Sequence, residues 1–145
     1  MKMRSIVCGV DFSSGSRKAL RVAVELARAN RSALTVLFSE DPTLVAAAKA
    51  AGDPRATRAS ATLALERFVA RTTRTHPLRG LQAVVTEGTP ADDILKAAGR
   101  RRADLIVLGT RGAGNVARLL LGSTAQRVLR RARVPVLTVP SGAAS

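Results

Sequence analysis

The sequence predicts a doubly wound α/β domain, with a parallel sheet covered by helices on both faces. Two observations lead there. Five short apolar runs rich in β-branched residues, at 4–10, 33–39, 81–87, 104–108 and 134–139, carry few charges and read as strands buried on both faces. They alternate with stretches whose apolar residues recur at the three-and-four spacing of helices. Strands separated by helices of this length are joined by right-handed crossovers, which makes the five-stranded sheet parallel. A chain of 145 residues is long enough for one core, so residues 1–140 are read as a single domain and 141–145 as a short C-terminal tail.

The first strand, 4–10, ends at Asp11-Phe12-Ser13-Ser14, whose side chains are helix-capping types. A helix follows from about 17 to 29, with Leu20, Ala23, Val24 and Ala27 on one face, and Asn30-Arg31-Ser32 ends it. After the second strand, Glu40-Asp41-Pro42 breaks the pattern. Residues 42–57 are Ala-rich but interrupted by Gly52-Asp53-Pro54, and they are assigned to no element. A longer helix spans 58–75, turns Ala61, Leu65, Phe68 and Val69 inward, and stops at His76-Pro77. The third strand leads to Thr89-Pro90-Ala91-Asp92, which offers a cap residue, a proline at the first helical position and an acid in the first turn. That helix carries Ile94, Leu95 and Ala98 and is expected to end at Gly99. The fourth strand, a glycine-rich segment, a helix over 123–131 and the fifth strand complete the chain.

Composition narrows the partners. The formal charge of +14 favours anions, but the basic residues are spread along the chain, with clusters only at Arg100-Arg101-Arg102 and at Arg130-Arg131 with Arg133. With no Trp or Tyr and three Phe, stacking platforms for single-stranded nucleic acid are nearly absent, so a nucleic-acid partner is not favoured. The single cysteine, Cys8, falls inside a strand and reads as a small buried apolar residue. No leader-like N-terminus and no apolar run near 18 residues is evident, so a cytoplasmic protein without a membrane partner is expected.

The segment from Gly109 to Thr124 carries the chemistry. Glycines at 109, 112 and 114 let a ligand approach the backbone where a Cβ would collide. Gly122-Ser123-Thr124 opens a helix whose first amides lack intrahelical partners and whose dipole favours negative charge, a combination suited to phosphate. Ser123-Thr124-Ala125-Gln126 also has the spacing of a capping box, so hydroxyl and Gln side chain compete with a ligand for those amides. Arg111 supplies forked donors that suit phosphate. Asp11, at a strand's carboxyl end, is placed to bond a ribose hydroxyl or help hold a divalent cation. Its plainer reading is a cap for the first helix, shared with Ser13 or Ser14.

The spacing Gly109, two residues, Gly112, nine residues, Gly122-Ser123 is neither a Walker A loop nor Gly-x-Gly-x-x-Gly. It resembles the nucleotide-binding motif of the universal stress protein family, in its ATP-binding branch. The resemblance extends to Val10-Asp11-Phe12-Ser13, Gly88-Thr89-Pro90 with Ile94, Asp104 to Gly109, and Val134 to Val139, nearly the whole chain. It implies a three-layer Rossmann-like sheet, of the adenine nucleotide alpha hydrolase-like kind, in the order 3-2-1-4-5. It further implies ATP with Mg²⁺ as ligand and Asp11 touching the nucleotide; Gly9 and Val10, beside Asp11, are then placed to offer backbone groups to the base. Leu108, Gly109, Arg111, Gly112, Gly122, Ser123 and Thr124 would line the phosphates, and the main chain of Ser39 would meet adenine. The family often has His-Val where this chain has Phe38-Ser39. A homodimer through the edge strand 134–139 is implied as well.

No catalytic constellation emerges, and one Cys with one His, His76, cannot furnish a structural zinc site. Asp92, Asp93 and Asp104 have helix-start or strand-start explanations. Any ATP hydrolysis is expected to be slow and to rest on Mg²⁺ and positioning. Two alternatives stand beside the regulatory ATP-binding protein: a basic module for polyanions, and a nucleotide hydrolase on the same sheet.

Overall fold

Val, Ile, Leu and Cys fill the two central strands, and their alternation divides the interior in two. In a computed structural model describing residues 2–74, 77–110 and 121–141, Ile6, Cys8 and Val10 point into one core and Val7 into the other. Elements follow in the order β1 (Ser5–Gly9), α1 (Ser14–Asn30), β2 (Ala33–Glu40), α2 (Pro42–Ala50), α3 (Arg58–Thr72), β3 (Leu81–Glu87), α4 (Pro90–Arg100), β4 (Leu105–Gly109), α5 (Ser123–Arg131) and β5 (Val136–Val139). The sheet is parallel throughout, in the order β3-β2-β1-β4-β5. Both the class and the strand order are as expected.

One core lies under α1 and α3. Ala19, Ala23 and Ala27 recur every fourth residue and bring α1 close to the sheet, while Leu20, Leu65, Phe68 and Val69 fill the space beside them. Burying a side chain of the Leu or Phe size contributes on the order of 1.5–3 kcal/mol. The other core lies under α4 and α5, where Ala91, Ile94, Ala98 and Val128 meet Val7, Leu37, Ile106 and Leu108. The sheet is thus a layer between two helical layers.

Several boundaries differ from expectation for local reasons. Helix α1 starts at Ser14, three residues early, because Ser13 is its N-cap and accepts from the Ser16 amide at 3.1 Å. Residues 42–50, left unassigned from sequence, form a helix capped by Asp41 with Pro42 in its first turn. Helix α2 has no buried residue, which explains why its pattern showed no apolar face. Gly99 lies inside α4 rather than ending it. The left-handed residue of the exit is Arg102, at φ 50°, and Ala103 donates back to the Ala98 carbonyl at 2.9 Å. Helix α3 ends at Thr72 instead of 75. Strand β5 begins at Val136 rather than 134; Pro135 has no N–H for the ladder, although its carbonyl accepts from Ile106 at 3.0 Å. Among the described residues no helix is long and apolar enough to cross a membrane.

Candidate functional site

The strand order reverses between β1 and β4. From β1 the chain turns through α1 to β2 on one side, and from β4 through α5 to β5 on the other, with the two helices on opposite faces. In sheets of this kind the space beyond the carboxyl ends of such a pair is where ligands bind. Cys8 and Val107 are register partners, so Asp11 and Thr110 each stand three residues beyond a paired position, and the two exits run side by side. Thr110 is pinned: its amide donates to Val139 at 3.0 Å and its carbonyl accepts from Gly122 at 2.6 Å. Gly122, at the head of α5, is therefore tied to the end of β4.

Helix α5 spans the expected residues but is capped differently from its sequence pattern. Gly122 takes the N-cap position, at φ −62° and ψ 157°, and no side chain among the described residues caps the helix. Ser123 becomes the first helical residue, one place too late for its hydroxyl to bridge back, and the capping box expected over Ser123–Gln126 does not form. The first amide seen to close a helical turn is that of Gln126, which donates to the Gly122 carbonyl at 3.0 Å. The amides of Ser123, Thr124 and Ala125 precede it and have no intrahelical acceptor, so they and the helix dipole present a positive end.

Asp11 lies just past β1 and is partly buried. Its Oδ1 accepts from the Ser13 amide at 3.0 Å and from the Ser13 hydroxyl, while its own amide donates to Ser16 Oγ at 3.2 Å. The carboxylate orients the capping serine; the cap itself is Ser13. Between them Phe12 adopts a left-handed backbone, φ 65°, an arrangement costing about 1–3 kcal/mol for a residue with a Cβ. Its ring is held 4.5 Å from Phe38 and 5.4 Å from Phe68 between centroids, and the Arg17 guanidinium lies 5.4 Å from the Phe68 centroid. Aromatic pairs of this sort contribute about 0.5–1.5 kcal/mol each beyond area burial. The chain's three aromatics thus gather beside the switch point, a cluster that their count alone does not reveal.

The other expected residues divide. Gly9 is buried with its open side toward α4: an added Cβ would lie 2.6 Å from Ile94 Cδ1 and 2.8 Å from Leu108 Cδ2. Val10 packs into the α1 core and its amide donates to Leu37 at 2.9 Å. Leu108 is buried in the α4 core, and Gly109 closes β4 opposite Val139. Thr124 is partly buried and Ser123 exposed at the head of α5. Arg111, Gly112, Gly114 and His76 lie outside the described residues. Ser39 is buried at the end of β2, and its hydroxyl donates to Asp93 Oδ2 at 2.6 Å. Asp93, which the sequence reading explains only as a helix-start acid, also accepts from Thr86 at 2.7 Å, a residue that the sequence reading does not name. Only the pairing of Ser39 with Thr86 across β2 and β3 reveals them as a group.

Electrostatics adds two points. Arg131 of α5 hydrogen-bonds Asp92 of α4 and, with Lys96 and Arg127 nearby, holds its carboxyl below the usual range. Burial pushes the Cys8 thiol up to about 12, so it stays protonated. Asp104 acts at the opposite, strand-start end of the sheet, accepting from the amides of Arg4 at 2.7 Å and Ser5 at 3.1 Å. Among the described residues there is no group of three side chains able to hold a metal ion.

Comparison with known proteins follows the same outline. The sequence profile described as the universal stress protein family matches residues 2–140. A universal stress protein of Thermus aquaticus is 35% identical over 139 residues, covering 94% of this chain and 98% of that protein. One from Methanocaldococcus jannaschii is 51% identical over 53 residues, 37% of this chain but only 31% of the relative. Among solved structures, a universal stress protein in complex with cAMP superposes with TM-score 0.75 at 25% identity, covering 98% of this chain and 100% of that one. The Archaeoglobus fulgidus protein in complex with dAMP does so with TM-score 0.66 at 25% identity, covering 96% and 99%.

Proposed function

The chain belongs to the universal stress protein family, and from that membership and the geometry at the switch point we propose that it binds ATP with Mg²⁺ as a nucleotide-dependent regulatory protein. The observation that carries this reading is the head of α5. Gly122 is fastened to Thr110 just past β4, no side chain among the described residues caps the helix, and β4 pairs with β1, beyond whose end Asp11 stands. The cAMP and dAMP held by two structural neighbours support a nucleotide as the ligand.

In this reading the amides of Ser123 and Thr124, with Gly109, Arg111, Gly112 and Gly122, receive the phosphates. Leu108 backs them from the core. Asp11 meets the ribose or the metal: a carboxylate is the hard oxygen donor that Mg²⁺ takes alongside phosphate oxygens, and one such ligand suffices when the substrate supplies others. Gly9, Val10 and Ser39 frame the base with main-chain atoms. Turnover is slow or absent, and the protein acts in the cytoplasm by holding nucleotide and presenting that state to a partner. It forms a single domain and pairs with a second copy through the exposed edge of β5.

The test is thermal unfolding with and without MgATP. A ligand that binds only the folded chain stabilises it by about 2.7 kcal/mol at a hundred times its Kd, so the midpoint rises with nucleotide concentration. An unchanged midpoint at millimolar MgATP overturns the reading. A second reading is favoured by Lys96, Arg127 and Arg131 converging around Asp92, which makes the α4–α5 face a basic surface for polyanions. Duplex DNA binding that falls steeply with salt and ignores ATP would select it instead.

A further inference from the structure

Strands β2 and β3 end in two successive register pairs, Ser39 with Thr86 and Glu40 with Glu87. Because side chains alternate along a strand, the first pair faces one side of the sheet and the second pair the other. On the α4 side, Ser39 Oγ and Thr86 Oγ1 both donate to Asp93 Oδ2, at 2.6 and 2.7 Å. The Asp93 carboxylate oxygens come within 3.0 Å of where a Cβ on Gly88 would stand, so glycine there leaves room for them. On the α3 side, two glutamates face each other, an arrangement that is destabilising alone. Arg58 answers it: Nε lies 3.8 Å from Glu40, one terminal nitrogen 3.7 Å from Glu87, and the other donates to the Val85 carbonyl at 2.7 Å. The carboxyl edge of β2 and β3 is clamped from both faces.

We infer that Asp93 is a positioning residue for nucleotide recognition, fixing the main chain at Ser39 so that the base end of the site is preformed. The inference rests on the nucleotide reading above and assigns it a residue outside the expected set. Ser39 has one hydroxyl hydrogen. With Asp93 Oδ2 at 2.6 Å and the Gly88 carbonyl at 3.2 Å, that hydrogen goes chiefly to the carboxylate. The side chain is thereby turned toward α4, and what remains for a ligand at this edge is main chain. Main-chain recognition is only as sharp as the backbone is still, and two charge-assisted hydrogen bonds hold it before the ligand arrives. Removing the carboxylate leaves both hydroxyls without that acceptor and lets the strand end relax.

The experiment is titration calorimetry of the full chain with ATP and with inorganic tripolyphosphate, both with Mg²⁺. Asp93→Ala is expected to weaken ATP about tenfold, as lost charge-assisted hydrogen bonds of this kind predict, and to leave tripolyphosphate affinity unchanged. Asp93→Asn, whose amide oxygen still accepts from both hydroxyls, recovers most of the ATP affinity. Should Asp93→Ala not fold, Thr86→Val, which removes one donor and keeps the shape, is expected to weaken ATP about threefold by the same reasoning. Equal ATP affinity in the folded variant and wild type, or equal losses for ATP and tripolyphosphate, overturns the positioning role. Wild-type protein that binds no ATP instead brings down the nucleotide reading itself.

Discussion

Gly9 was expected at the nucleotide, yet its most constrained neighbours are Ile94 and Leu108 in the α4 core. A methyl group added there collides with two buried side chains that have little room to yield. Gly9→Ala is expected to lower the free energy of unfolding in urea by about 1–3 kcal/mol, as overpacking does. Cys8 sits one residue earlier on the opposite face, fully buried. Folding favours its protonated form, so this group's contribution to stability is full below the unfolded value of 9.0 and is lost as pH rises toward about 12. At pH 8 the folded protein is expected to resist a disulfide-exchange reagent, with one thiol appearing per chain once urea unfolds it. Prompt reaction of the native protein contradicts the burial.

At the scale of elements, caps and apolar faces behave differently. Helix α1 owes its start to a local network, Asp11 to Ser13 to Ser16, and its length to an apolar face against the sheet. Helix α2 has the start signals, Asp41 and Pro42, but nothing to bury; Leu44 is 69% exposed. Ser13→Ala is therefore expected to cost about 1 kcal/mol in urea unfolding. Leu44→Ser should fall within about 0.5 kcal/mol of wild type, as surface changes do. Amide exchange in α2 is expected to be faster than in α1, since few buried contacts oppose its opening. Helix α5 shows the limit of spacing rules: a capping box needs its serine at the N-cap, and the bond from Gly122 to Thr110 gives that place to the glycine. The sequence pattern is right about the helix, Ser123–Arg131, and wrong only about the residue that caps it.

For the whole molecule, the order β3-β2-β1-β4-β5 leaves β3 and β5 as the edges and sets β1 beside β4 in the middle. Edge strand β5 is short, and Leu137 is 37% exposed on it. An edge strand carrying an apolar side chain is a template for a second copy. Sedimentation of the full chain is expected to show a dimer whose dissociation is promoted by Leu137→Lys; a monomer at high concentration would set that pairing aside.

Local sequence determined the alternation of strands and helices, most of their boundaries and the two loops suspected of holding a ligand, because periodicity, caps and glycine spacing are properties of neighbouring residues. Placing the strands in order drew on the family resemblance, and pairing confirmed it. What only tertiary structure decided are relations between distant residues: Ser39 and Thr86 meeting on Asp93, Phe12 braced by Phe38 and Phe68, and Gly122 taking the cap from Ser123 by bonding to Thr110. Each depends on strand register and helix docking, which bring together residues far apart in the chain; Phe12 and Phe68 are 56 residues apart. No window of local sequence contains that information, because hydrogen bonds and ring contacts act over ångströms in space rather than along the backbone.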